Sequence, residues 1–129
     1  MRLSIGYAAD PRGRGVAYAR LRRAQRDRVV RCTFSVGRSS DDREVGFAAL
    51  AAMLTLLRPR LPSVVVEIED ADLVADLSQR REIPVRLMLP YVRTRCALNA
   101  FESWRLVAGN AAADLSARAA AEVSLSVAA

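Results

Sequence analysis

The sequence predicts an α/β domain on a mixed five-stranded sheet, an antiparallel three-stranded meander plus two parallel strands, flanked by helices. Three observations lead there. Residues 2–37 hold three strand-like apolar runs, separated by the short polar and Gly-containing breaks "DPRGRG" and "AQRD". A strongly apolar helix follows, and then the β-branched run "SVVVEIE". From that run onward, helix and strand signals alternate to the end, as in layered α/β domains.

The elements follow in order. Residues 2–9 alternate, with Leu3, Ile5 and Tyr7 on one side and Ser4, Gly6 and Ala8 on the other, the period of a strand. Residues 16–23 and "RVVRCTFSV" supply the second and third strands. Asp41 is placed to cap a helix over about 42–58, with Glu44 three residues on as in a capping box. That helix is apolar nearly all round, so it is expected to be covered on more than one side. Residues 63–69 read as an interior strand, and a right-handed crossover makes it parallel to the first strand if the two pair. "DADLVADLSQRR" reads as a short helix with Leu73, Val74 and Leu77 inward. "EIPVRLMLP" carries no decisive pattern. "YVRTRCALNAF" reads as a helix, "SWRLVA" as a strand and residues 111–122 as a final helix, with "SLSVAA" expected to fray.

Composition bounds the rest. The chain of 129 residues suits one domain, 1–129, able to bury a core without staples. No apolar run is long enough to span a bilayer and the N-terminus reads as a strand, so a cytoplasmic location is the expectation. Cys32 and Cys96 lack metal-site spacing and read as buried small hydrophobes. Histidine is absent, which excludes Ser-His-Asp, Cys-His and His-rich zinc chemistry. All 20 basic residues are arginine, and the net charge of +6 attracts polyanions. Eight of them crowd the meander, with Arg12, Arg14, Arg20, Arg22 and Arg23 forming the expected nucleic-acid-binding row. A charged face that protects a sheet edge is the competing explanation. Tyr18, Phe34 and Trp104 read as core. The apolar helix stretch 47–57 leaves a homodimer interface open as an alternative.

Four acids stand where this topology can bring them together. Asp10 ends the first strand, Asp70 ends strand 63–69, Glu44 lies in the first turn of the long helix and Asp114 near the start of the last. If the two parallel strands are neighbours, Asp10 and Asp70 nearly touch at their C-terminal ends, the edge where α/β sheets bind ligands. Converging carboxylates repel unless a cation intervenes, and oxygen ligands favour Mg2+ or Mn2+. Each acid also has a local role open to it: Asp10 in the Asp-Pro turn, Asp70 as a helix cap, Glu44 in the capping box, Asp114 against a helix dipole. Glu69 is expected to point away from Asp70 by strand alternation.

This order, with "VVVEIEDADLVADL" and "GNAAADLSARAAAE", resembles the ribonuclease H-like superfamily over nearly the whole chain. The resemblance implies a divalent-metal-dependent endonuclease that hydrolyses the RNA strand of RNA/DNA hybrids by a two-metal mechanism. It places the catalytic and metal-binding acids on Asp10, Glu44, Asp70 and Asp114. Two departures stand out. Asp10 precedes proline rather than glycine, and no histidine follows Trp104. The stripe Phe47, Leu50, Leu54, Leu57 also matches the family's helix best with Gly46 in the acidic position, a register without the second carboxylate. A ribonuclease H-fold module with a weakened metal site, binding nucleic acid or protein, is the alternative function.

Overall fold

A computed structural model describes residues 1–38, 40–57, 62–78 and 82–128, with 126–128 as backbone only. Three strands open the chain: β1 (Arg2–Ala9), β2 (Arg14–Arg23) and β3 (Arg26–Ser35). α1 (Asp42–Leu57) leads to β4 (Ser63–Ile68) and α2 (Ala71–Ser78). A 3-10 turn at Val85–Leu87 runs into α3 (Met88–Asn99), and β5 (Ser103–Ala108) and α4 (Ala113–Ala128) close the chain. The sheet order is β3-β2-β1-β4-β5, antiparallel across β1–β3 and parallel for β1·β4 and β4·β5. This is the mixed five-stranded sheet that the sequence predicts.

Differences from the sequence expectations are local. The undecided segment becomes a helix because Pro84 and Pro90 both sit where helices tolerate proline, one just before the 3-10 turn and one in the first turn of α3. α4 continues to Ala128, beyond the expected end at 122. Residues 79–81, at the expected end of the short helix, lie outside the described residues. The β2–β3 turn places Ala24 at φ 52°, a left-handed position usually taken by Gly or Asn. Cys96 is exposed rather than buried, while Cys32 is half-buried beside the core.

The two sheet faces are covered differently. Leu3, Ile5, Val64, Val66 and Ile68 meet Phe47, Leu50, Met53 and Leu54 of α1, Leu73 and Leu77 of α2 and Leu98 of α3 in the main core. The apolar side of α1 that suggested a subunit interface is therefore largely consumed within the chain. On the other face Val16 and Tyr18 pack against Leu115, Ala119 and Val123 of α4. Gly6 lets α4 approach, since a Cβ there would stand 2.4 Å from the Ser116 backbone nitrogen. Polar ties fix the helices. Asp41 accepts the Glu44 amide at 2.9 Å, capping α1 as predicted. Arg43 clasps the fully buried Asp76, joining α1 to α2, and the Thr94 hydroxyl donates to the Phe47 carbonyl at 2.9 Å, joining α3 to α1.

Candidate functional site at the strand ends

The register of β1 against β4 decides what meets at the C-terminal edge of the sheet. Arg2 pairs with Val65, Leu3 with Val66 and Ser4 with Glu67. The Val65 amide donates to the Met1 carbonyl at 3.0 Å, so β4 docks from the first residue of the chain. Continued three residues along both strands, this register sets Tyr7 beside Asp70. Strand alternation puts both on the α1 face, where Leu3, Ile5, Val66 and Ile68 are buried. Asp10 lies three residues past Tyr7, roughly 10 Å of extended chain.

A cavity of about 610 Å3 opens at this edge. Asp10 and Asp70 both line it, with Glu69, Asp42, Tyr7 and Ser116 supplying further polar groups and Ile5, Pro11, Val36 and Val45 among its apolar walls. The two expected acids also do local work. Asp10 Oδ1 accepts the backbone amides of Arg12 at 2.9 Å and Arg14 at 3.0 Å, which builds the β1–β2 turn. Asp70 Oδ1 accepts the amides of Asp72 at 3.0 Å and Leu73 at 3.2 Å, which caps α2. Glu69 reaches the cavity from the α4 side of the sheet edge, the face that strand alternation gives it. Its carboxylate accepts the Ser116 hydroxyl at 2.5 Å.

Glu44 and Asp114 do not line this cavity. On α1 it is Asp42 and Val45 that face it, and Glu44 is turned roughly 200° from Asp42 about the helix axis. Asp114 is exposed and ion-paired with Arg20 of β2 on the α4 face. Among the described residues, no three acidic or thiol groups stand together as a set able to hold a metal ion. The donors therefore fit a pair of divalent cations poorly: of the four carboxylates that line the cavity, Asp10 and Asp70 each have one oxygen engaged by backbone and Glu69 accepts the Ser116 hydroxyl, while a phenol stands beside Asp70. Sequence reasoning missed Tyr7, Asp42, Glu69 and Ser116. Only Gly46 carried a visible signal, through the apolar stripe that sets it in the acidic position.

Gly46 explains how Tyr7 fits. A Cβ at residue 46 would stand 2.7 Å from the Tyr7 hydroxyl and 2.7 Å from Leu73 Cδ2. The phenol thus lies against the bare backbone of α1. Burial, and then the negative charges of Asp70, Asp42 and Glu69, push its pKa well above the usual tyrosine value, so the hydroxyl stays protonated.

Beside the acidic cavity, and sharing Pro11 with it, lies a shallow depression of about 650 Å3 lined by Arg12, Arg14 and Arg38. These three are exposed and form no ion pair among the described residues. The remaining arginines of the expected row separate from them. Arg20 is paired with Asp114 and Arg22 with Asp27, and Arg23 ends β2 at the opposite edge of the sheet.

Several carboxylates are held below their usual range. The Glu44 amide, then Arg86, lowers Asp41; Arg2, then the Ala111 amide, lowers Glu67; Arg20 lowers Asp114. In the pH window from about 4 down through these depressed values, the unfolded chain binds more protons than the folded one. Stability is thus present above that window and lost as pH falls through it. Chemical denaturation midpoints are expected to be flat from about pH 5 to 8, where no histidine titrates, and to drop steadily below about pH 4. An unchanged midpoint at pH 3 would show that these bonds contribute nothing.

The sheet order, the crossover through α1 and the closing helix α4 define a ribonuclease H-like fold. Solved structures agree. An RNase H1 from the halophilic archaeon Halobacterium salinarum matches with a TM-score of 0.74 at 16% identity, over 95% of both chains. The N-terminal RNase H domain of a Mycobacterium tuberculosis protein matches with 0.71 at 13% identity, over 92% of this chain and 95% of that one. LC11-RNase H1, solved in complex with an RNA/DNA hybrid, matches with 0.65 at 11% identity, over 93% and 91%. No family model and no curated protein matches the sequence. Among the described residues no helix is long and apolar enough to cross a membrane.

Proposed function

We propose that this protein binds nucleic acid, with an RNA/DNA hybrid as its ligand, through the arginines beside the strand-end cavity and without a divalent metal. The observation that carries the proposal is the trio Arg12, Arg14 and Arg38, exposed and without an ion pair among the described residues, at the edge where ribonuclease H-like sheets present their strand ends. Arginine forks engage phosphate oxygens bidentately, and three of them on one rim can follow a backbone. The hybrid is favoured over other polyanions because a structural neighbour of the same fold was solved with one bound. Tyr7 beside Asp70, and Glu44 and Asp114 away from the cavity, argue against the two-metal arrangement.

A second reading has a specific observation behind it. Asp10 and Asp70 do line one cavity, with Asp42 and Glu69. In that reading these acids bind Mg2+ or Mn2+ and the protein hydrolyses the RNA strand, with Glu44 and Asp114 reaching the site only after rearrangement.

One experiment separates the two. Fluorescence anisotropy with a labelled hybrid in EDTA is expected to show binding that weakens steeply with salt. The same hybrid, end-labelled and incubated with Mg2+ or Mn2+, is expected to stay intact. Metal-dependent cleavage that disappears in Asp70→Asn would install the nuclease reading instead. Absence of any hybrid binding in low salt would remove both.

A further inference from the structure

We infer that Tyr7 and Gly46 act as a pair that closes the strand-end cavity to divalent cations, so that carboxylates placed at these two positions would build a cation site around Asp70. The inference deepens the metal-independent reading above and rests on it. Its test uses no nucleic acid, so the two can fail separately.

The geometry supplies two reasons. The first is position. Tyr7 and Asp70 line the same cavity, and the register Ser4–Glu67 continued three residues along both strands sets them side by side. Gly46 is the α1 residue whose missing side chain leaves room for the phenol, since a Cβ there would stand 2.7 Å from the hydroxyl and 3.3 Å from Cζ. Strand and helix thus contribute one ring where each could have contributed a carboxylate.

The second reason is charge. Divalent Mg2+ and Mn2+ are bound by several oxygens, chiefly carboxylate, carbonyl and water. A phenol supplies one oxygen, and its neutral form adds no negative charge. Tyr7 therefore takes up volume next to Asp70 and gives a cation little in return. Asp70 in turn has one oxygen committed to the cap of α2. The substitutions are sterically matched. Removing the phenol removes one of the two closest contacts at residue 46, and the other is the methyl end of Leu73, a flexible side chain.

The test compares the wild type, Asp70→Asn, Tyr7→Asp/Gly46→Glu, and that double variant carrying Asp70→Asn. Each is titrated with Mn2+ by calorimetry and melted with and without the metal. The wild type and Asp70→Asn are expected to behave alike, with no rise in melting temperature. The double variant is expected to gain a metal-dependent rise and to bind Mn2+ at least about tenfold more tightly, because a ligand of the native state stabilises it. Adding Asp70→Asn should abolish the gain. A wild type that already binds Mn2+ through Asp70 as tightly as the double variant would overturn the inference, as would a folded double variant with no gain. Should the double variant fail to fold by circular dichroism, Tyr7→Asp alone decides: an Asp70-dependent gain supports the pair's role, and no gain overturns it.

Discussion

Gly6→Ala is expected to destabilise the protein by about 3 kcal/mol, the upper part of the overpacking range, and to lower its melting temperature by roughly 10 °C. The added methyl would meet the Ser116 backbone nitrogen at 2.4 Å and the Leu115 carbonyl carbon at 2.8 Å. Both are helix backbone, so no rotamer change relieves the clash and α4 must move away from the sheet. That movement also opens the contact of Val16 and Tyr18 with Leu115 and Ala119. Gly37→Ala is the matched control, because among the described residues its methyl meets only Ser40 Oγ, at an ordinary 3.5 Å. It should change stability by less than about 0.5 kcal/mol. Equal denaturation midpoints for the two variants would mean that α4 is not seated on β1 as described. The effect reaches the cavity as well, because Ser116 lines it and donates to Glu69.

How much of this was legible depended on the range of the signal. The alternation of β1 was local and read correctly: Leu3 and Ile5 face the main core with Tyr7 packed against it, and Ala8 packs on the α4 side. The cap of α1 by Asp41 was local too. The offset between β1 and β4 was not, because parallel strands joined through a helix have no turn to fix their register. That offset, continued three residues, sets Tyr7 rather than Asp10 directly beside Asp70, while both acids still line one cavity. Glu69 kept its alternation, turning to Ser116 of α4 on the face opposite α1. Asp114 shows a second limit. Its place near the start of α4 was predicted correctly, but its partner, Arg20, is 94 residues away in sequence. Long-range ion pairing cannot be read from either segment alone.

The same separation makes the arginines testable one group at a time. Arg12→Ala/Arg14→Ala is expected to weaken hybrid binding by roughly fiftyfold at 0.1 M salt, since each arginine–phosphate bridge removed forfeits roughly an eightfold contribution from counterion release. The slope of log affinity against log salt should fall in magnitude by about 2. Arg22→Ala/Arg23→Ala removes the same charge from the other end of β2. Those residues lie roughly 30 Å of strand from Arg14, and Arg22 is already engaged by Asp27. That variant should keep most of its affinity and its slope. The comparison separates contact from field. At 0.1 M salt the screening length is about 10 Å, so a general electrostatic attraction would respond similarly to both double variants, whereas a phosphate track on the cavity rim responds only to the first. Equal losses would assign the binding to net charge alone and leave Arg12, Arg14 and Arg38 no special role. A loss confined to Arg12→Ala/Arg14→Ala would fix the nucleic acid beside Asp70, the position from which the effect of Tyr7 on any metal-assisted chemistry becomes measurable.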